Sequence, residues 1–157
     1  MEKLRIVFDC MIFLQAVISD KNVAFELFEH LEKDVFTLFV SGETLDEVNN
    51  VLNRPYIRNR NPQITDESIE MFLSRVLNRA KRLNKIPKHF QYPRDPKDEK
   101  YINPAIEAEA NYIVSRDNDL LDLMTGIDAE SKEFRQRFRF LKVIAPGEFL
   151  RIIQEGI

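Results

Sequence analysis

The stretch Leu4-Arg5-Ile6-Val7-Phe8-Asp9 places a short apolar run, rich in β-branched residues, directly before an aspartate. Such a run is typical of a buried strand, and Asp9 marks its end. A second stretch, Tyr112-Ile113-Val114-Ser115, runs in the same way into Arg116-Asp117-Asn118-Asp119. The chain therefore carries two strand-like segments that each end in acidic residues.

Outward from these two stretches, strand-like and helix-like segments alternate. Phe36–Val40 and Leu141–Ile144 predict two further strands. Helices are predicted over Met11–Ile18, from Asn22 onward, and from Asp98 to Ala110. Two more are predicted to begin after caps at Ser41 and Thr65, and the second of these carries an apolar stripe from Ile69 through Leu77 to Leu83. A last helix is predicted after Pro146. Pro55–Pro62 and Lys85–Pro96 are predicted to be long connections. The alternation predicts a parallel sheet that is covered by helices on both faces.

The length and composition narrow the class of protein. The chain has 157 residues, of which 44% are hydrophobic and 31% are charged, which is typical of a folded globular protein. We expect a single domain over residues 1–157. Cys10 is the only cysteine, so an internal disulfide and a cysteine-based zinc site are excluded. Because the sequence shows no membrane-spanning run and no signal-peptide layout after Met1, we expect a cytoplasmic protein without membrane contact.

Charge is distributed unevenly along the chain. The net charge of −3 argues against a generally basic nucleic-acid-binding protein. Residues 71–94, however, carry seven basic and no acidic residues, whereas residues 95–133 carry eleven acidic and four basic residues. A basic segment beside an acidic one suits a metal-dependent enzyme that acts on a polyanion. A solvated helix face followed by an ordinary acidic segment would give the same pattern.

Five acidic residues are candidates for one shared site. Asp9 and the pair Asp117 and Asp119 follow strands, and parallel sheets bind ligands beyond the carboxyl ends of their strands. Glu47, in the helix after Ser41, and Asp98, at a helix start, could join them. Each acid alone also has a structural explanation, as a helix cap, a turn former or a solvated residue. Clustered carboxylates require a cation or a proton, and oxygen ligands suit Mg²⁺ or Mn²⁺. The chemistry this predicts is phosphodiester hydrolysis.

Four motifs, in order along the chain, resemble those of the PIN-domain family of metal-dependent ribonucleases, and most closely its toxin components of toxin–antitoxin systems. The resemblance spans about residues 4–147. The motifs are Ile6–Leu14, which is similar to the opening strand and its acid; Ser41–Val48 followed by Val51–Pro55, similar to the second-acid helix; Asp95-Pro96-Lys97-Asp98 with Ala105, Ala108 and Ala110, similar to the third-acid segment; and Tyr112–Leu121, similar to the closing strand.

The resemblance implies a three-layer α/β/α sandwich with a mainly parallel sheet. It implies that Mg²⁺ or Mn²⁺ is held by the four catalytic acids Asp9, Glu47, Asp98 and Asp117. Ser115 would hydrogen-bond within the site, and Asp119 would be an auxiliary acid. It also implies a homodimer and an antitoxin partner. The sequence departs from the family in two places: Met11 stands where the family often has asparagine, and Pro104 stands inside a helix.

Basic residues near these motifs are candidates for binding an RNA substrate. Arg54, Arg58 and Arg60, with Tyr56 among them, follow the second-acid helix, and Arg116 precedes Asp117. Arginine pairs with phosphate, and an aromatic ring can stack on an exposed base. Three arginines of the long helix region form a second group, which could equally meet solvent, a second subunit or an acidic antitoxin segment: Arg75, Arg79 and Arg82.

Three functions remain open at this stage. The leading hypothesis is a divalent-metal-dependent endoribonuclease that acts as a toxin. The alternative is a catalytically weak or inactive PIN-like module that binds RNA or a partner protein, which the substitution at Met11 would favour. A phosphoryl-transfer domain would also begin with an aspartate after its first strand, but it lacks a second acid two positions after Asp9.

Overall fold

The computed structural model describes residues 2–156, so Met1 and Ile157, the two ends of the predicted domain, lie outside the described residues. Five parallel strands form one sheet in the order β3-β2-β1-β4-β5. The strands are β1 Arg5–Phe8, β2 Thr37–Ser41, β3 Lys81–Leu83, β4 Tyr112–Val114 and β5 Lys142–Ile144. The helices are α1 Cys10–Ile18, α2 Val23–Glu32, α3 Gly42–Leu52, α4 Pro55–Arg60, α5 Asp66–Arg79, α6 Glu99–Glu107, α7 Asn118–Leu121, α8 Ala129–Arg137 and α9 Pro146–Glu155.

The sheet lies between two helical layers, which confirms the predicted α/β/α sandwich with a parallel sheet. On one face of the sheet, Phe8 of β1 packs against helices α2 and α9. The centroid of its ring lies 5.4 Å from that of Phe28 and 6.4 Å from that of Phe149. Helix α6 packs against β1 and β2. A second aromatic group joins Phe90 to Phe134 of α8, with centroids 5.4 Å apart. Burial of these apolar side chains is the main stabilising contribution.

Local signals in the sequence explain several helix starts. Ser41 caps α3 by accepting a hydrogen bond from the Thr44 amide at 3.1 Å, and Thr65 caps α5 in a reciprocal capping box with Ser68. Pro146 occupies the first turn of α9, where its missing N–H costs nothing. Pro104 lies inside α6 and is buried there, without ending the helix.

The predictions for the middle of the chain were partly wrong. Helix α5 ends at Arg79, and Lys81–Leu83 forms edge strand β3 instead of continuing the helical stripe. Leu77, a member of the predicted stripe within α5, is 44% exposed. Part of the predicted connection Pro55–Pro62 is helix α4, which begins at Pro55 itself. Helix α8 was not predicted; it has only Phe134 as a fully buried apolar residue, too few for a recognisable stripe.

Strand order determines where a binding crevice can form. The chain runs outward from β1 to β2 and β3, and then returns to the other side of β1 for β4 and β5. The carboxyl ends of β1 and β4, which pair at Phe8 and Val114, therefore lie at the point where the order reverses. Ligands in open parallel sheets bind at such a point.

Candidate functional site

A cleft at the carboxyl ends of β1 and β4 contains the four acids that the resemblance implied to be catalytic. The residues lining it are Asp9, Cys10, Met11, Gln15, Glu47, Val51, Arg54, Asp95, Lys97, Asp98, Lys100, Tyr101, Arg116 and Asp117. The fold thus brings together residues from widely separated parts of the sequence. Their surroundings within this cleft differ sharply.

Asp9 is buried and held by hydrogen bonds on both carboxylate oxygens. Oδ1 accepts from the Met11 amide at 2.9 Å and the Ile12 amide at 3.3 Å, so Asp9 caps α1. Oδ2 accepts from the Ser115 hydroxyl, as the resemblance implied for Ser115. Burial raises the pKa of Asp9 to about 6, although these hydrogen bonds oppose the shift. Asp9 is therefore tied to the fold, which disfavours it as a nucleophile for phosphoryl transfer.

Four aspartates form a compact group beside Asp9. One carboxylate oxygen from each of Asp95, Asp98, Asp117 and Asp119 lies within 4.8 Å of the others. Asp98 and Asp117 belong to the predicted ligand set, and Asp119 was predicted as an auxiliary acid. Asp95 was not predicted as a site residue, although it stands in the quoted motif Asp95-Pro96-Lys97-Asp98.

Asp98 is the most unusual member of this group. It is only 5% exposed, and its Oδ2 atom has no hydrogen-bond partner within the described part of the chain. It stands at the N-cap position of α6 but makes no side-chain capping bond, so capping does not explain its burial. Burial, and after it the charges of Asp117 and Asp95, raises the pKa of Asp98 to about 8. A buried carboxylate oxygen without a partner is costly unless a cation or a proton accompanies it.

Asp117 and Asp119 are oriented by the turn after β4. The Asp117 amide donates to the Ser115 hydroxyl at 2.9 Å, and Asp117 Oδ1 accepts from the Asp119 amide at 2.9 Å. Arg94 holds Asp119, with Nε 2.8 Å from Oδ1, and its other arm lies 2.7 Å from Asp122. Arg94 directly precedes the motif Asp95-Pro96-Lys97-Asp98, but sequence reasoning missed it because its pairing with Asp119 is a tertiary contact that no local pattern contains.

Glu47 lies in the same cleft but outside the group of four aspartates. Its carboxylate accepts hydrogen bonds from the Lys100 ammonium and the Tyr101 hydroxyl. Burial alone would raise the pKa of Glu47, but these bonds outweigh it and hold that pKa below its usual value. The Tyr101 hydroxyl also accepts from the Cys10 amide at 3.1 Å, which joins α6 to the start of α1.

Cys10 has no catalytic environment. It is buried, and burial raises the pKa of its thiol to about 12. A thiolate nucleophile is therefore absent near neutral pH. Met11, where asparagine was expected by the resemblance, is 47% exposed and lies at the wall of the cleft.

The predicted RNA-binding arginines divide into two pairs. Arg54 and Arg116 are exposed and line the cleft. Arg58 is instead bound to Asp66 and donates to Asn53 Oδ1 at 2.7 Å, and Arg60 stacks on the Tyr56 ring with 4.4 Å to the centroid. In the described chain, neither Arg58 nor Arg60 belongs to the lining of the cleft. Lys97 and Lys100, which were not predicted, add positive charge there.

The residues present fit a hard divalent cation. The group offers only carboxylate oxygens, which such ions prefer, and the unpartnered Asp98 Oδ2 is the kind of atom that a cation would satisfy. Asp98 and Asp117 would hold the ion, with Asp95 and Asp119 beside them. Within residues 2–156, no helix combines the length and apolar character needed to cross a membrane.

Comparison with known proteins agrees with this geometry. The family model for the PIN domain matches residues 5–119, a range that contains the four acids of the cleft that the resemblance implied to be catalytic, and also Asp95 and Asp119. A search of curated proteins finds no match. PIN domains are generally nucleases and typically use divalent metals, and the acidic cluster is compatible with both properties. Because the match extends over most of the sequence and its fold is present, the chain belongs to the PIN-domain family.

Proposed function

We propose that the protein is a divalent-metal-dependent endoribonuclease. The observation that carries the proposal is Asp98, a buried carboxylate with an unpartnered oxygen inside a group of four aspartates. A bound Mg²⁺ or Mn²⁺ would neutralise phosphate charge and lower the pKa of an attacking water. The protein's part is to hold the carboxylates in place and to bind the RNA backbone.

Two features of the cleft support RNA as the substrate. Arg54 and Arg116 line the same cleft as the acids, and their guanidinium groups can pair with the phosphates of an RNA backbone bound there. Met11 exposes an apolar side chain at the wall, against which an unstacked base can pack. Asp9 and Ser115 keep β1 and β4 in register at this edge, so that Asp117 is presented from a rigid turn.

The decisive assay compares cleavage of single-stranded and structured RNA in Mn²⁺, in Mg²⁺ and in EDTA. We expect cleavage with metal, none in EDTA, and loss of cleavage in Asp98→Asn. Asp20→Asn is the matched control, because Asp20 is exposed and lies away from the cleft. Cleavage in EDTA, or an Asp98→Asn variant as active as Asp20→Asn, would contradict the proposal.

The second candidate is an RNA- or protein-binding module without turnover. It is favoured by Met11 in place of asparagine and by the engagement of Glu47 with Lys100 and Tyr101. This candidate predicts RNA binding that is retained in EDTA, with intact RNA recovered after incubation in Mn²⁺. Replacing Met11→Asn would then test whether the missing amide is what prevents cleavage.

We further propose that the protein acts in the cytoplasm as the toxin of a toxin–antitoxin pair, and that it forms a homodimer. The resemblance of its motifs supports this role, and the basic residues around α5 offer a surface for an acidic antitoxin. Induced expression should stop growth, and Asp98→Asn should relieve the arrest at equal protein levels. Unimpeded growth at high levels of active enzyme would contradict the toxin role. Sedimentation equilibrium would test the dimer.

A further inference from the structure

Two of the acids, Glu47 of the cleft lining and Asp119 of the aspartate group, already have cationic side chains as partners. Lys100 binds Glu47, and Arg94 binds Asp119 through Oδ1. Asp98 Oδ2, by contrast, has no partner among the described residues. Glu47 and Asp119 are thus paired with cations of the chain, whereas Asp98 is left to an external cation.

The contact at Glu47 is partly buried. The Lys100 side chain is 14% exposed and Glu47 is 29% exposed, so water screens this pair only in part. Tyr101, 4% exposed, donates to the other carboxylate oxygen and is itself anchored by the Cys10 amide. Lys100 and Tyr101 are consecutive in α6, which fixes both donors relative to Asp98 at the start of that helix.

A divalent ion at Glu47 would meet two obstacles. It would have to displace the Lys100 ammonium, and it would then lie close to that displaced charge in a partly dry cleft. An ammonium is a compact cation with three donors, so it can occupy the place at a carboxylate that a metal ion would take. Glu47 also lies outside the group whose oxygens are within 4.8 Å of one another.

From this arrangement we infer that Lys100 takes the place of a second metal ion at Glu47, so that the cleft binds a single divalent cation at Asp98 and Asp117. Lys100 is a positioning residue in this assignment, since it acts through Glu47. The inference rests on the proposed metal-dependent function, and it specifies the number of ions and the acid that does not hold one.

The test is Mn²⁺ binding to the purified full chain without RNA, followed by calorimetry and by electron paramagnetic resonance. We expect one Mn²⁺ per chain. Asp98→Asn should weaken binding by at least about tenfold, as losing a ligand or its support does. Glu47→Gln should leave the affinity within about threefold of the wild type, a small effect for a residue that is not a ligand.

Two lysine variants separate a specific role of Lys100 from a general effect of charge. Lys100→Met should bind a second Mn²⁺, with the spin coupling of two neighbouring ions. Lys97→Met removes the same charge from the same cleft without touching the Glu47 pair, and it should keep one ion. Lys100→Arg should restore single-ion binding.

The possible outcomes separate the single-ion assignment from the proposed metal-dependent function. Two ions in the wild type, or a Glu47→Gln variant as weak as Asp98→Asn, would overturn the single-ion assignment while leaving a metal-dependent enzyme. A folded Lys100→Met variant with one ion would overturn the role of Lys100. Absence of Mn²⁺ binding in the wild type would overturn both the inference and the proposed function.

Discussion

Asp98 and Glu47 lie in one cleft on two neighbouring helices, and their surroundings are opposite. Glu47 accepts from an ammonium and a hydroxyl, and its pKa lies below the usual value. Asp98 has three aspartates for neighbours and one oxygen without a partner, and its pKa is about 8. Position in the cleft alone therefore does not define the role of an acid; the charges that surround its carboxylate do. Both carboxylate oxygens of Glu47 accept hydrogen bonds, whereas Asp98 Oδ2 has no partner among the described residues.

The largest expected effect is on catalysis. Asp98→Asn should lower the rate of RNA cleavage in Mn²⁺ by roughly 100- to 1,000-fold, the scale of losing a key electrostatic group. Glu47→Gln should lower it by no more than about tenfold, since that residue supports the cleft without holding the ion. Single-turnover rates on one labelled RNA measure both, with Asp46→Asn, an exposed acid next to Glu47, as control. Equal losses of rate in the two variants would contradict the different roles of Asp98 and Glu47.

The next effect is the pH dependence of stability in EDTA. The pKa of Asp98 is about 8 in the folded state against 3.8 for an ordinary aspartate, so the folded chain binds more protons between these values. The free energy of unfolding of the metal-free protein should therefore fall as pH rises from about 4 to 8, by a few kcal/mol. Saturating Mn²⁺ should reduce this fall, because the ion replaces the proton on Asp98, whereas Asp9, with a folded-state pKa of about 6, still contributes between about pH 4 and 6. Urea titrations at several pH values, with Asp98→Asn alongside, measure it; a flat metal-free profile would contradict the prediction.

A smaller effect, on the free energy of unfolding, has opposite signs for variants of Glu47 and of Asp98. At pH 8 in EDTA, Glu47→Gln should lower the free energy of unfolding by about 1–3 kcal/mol, because Lys100 loses its charged partner. Asp98→Asn should raise it by at least about 1 kcal/mol, because a buried charge without a counter-ion is removed. Thermal unfolding under identical conditions compares them. Destabilisation of similar size in both variants would show that Asp98 is already satisfied by the fold.

The smallest expected effect concerns RNA binding at the rim. Arg54→Ala and Arg116→Ala should each weaken binding and reduce the slope of log affinity against log salt by about one, as loss of one phosphate contact does. Arg58→Ala should change stability instead, because Arg58 joins α4 to Asp66. Arg151→Ala, on the exposed face of α9, is the control. Filter binding in EDTA at several salt concentrations measures these slopes. An unchanged slope in Arg54→Ala would show that Arg54 does not contact an RNA phosphate.

The sequence was sufficient for most of the sheet and for the acids that end its strands. Apolar runs such as Ile6–Phe8 and Ile113–Val114 can be recognised locally, because strands buried on both faces need continuous apolar residues. Edge strand β3, Lys81–Leu83, could not be recognised, because it has only three residues, two of them basic, and Leu83 continues the helical spacing of α5. Its strand pairing with β2 is a long-range contact that no local pattern contains.

The sequence predicts which acids line the cleft, but not the charges that surround them. Asp9 and Asp117 follow from their positions after strands, and Asp98 and Glu47 follow from their positions in helices together with the motif resemblance. The pairing of Glu47 with Lys100 joins residues 53 positions apart, and only the packing of α3 beside α6 reveals it. Asp95 could have been predicted as a further acid, since it stands three residues before Asp98 in the quoted motif.

A crystal of the wild-type protein soaked in Mn²⁺ and measured at a wavelength where manganese scatters anomalously tests the central claim most directly. We expect one anomalous peak per chain, within ligand distance of Asp98 and Asp117, with Lys100 still bound to Glu47. A peak on Glu47 with Lys100 displaced would contradict this assignment. The absence of a manganese peak near Asp98, in a crystal where no neighbouring molecule blocks the cleft, would contradict it as well.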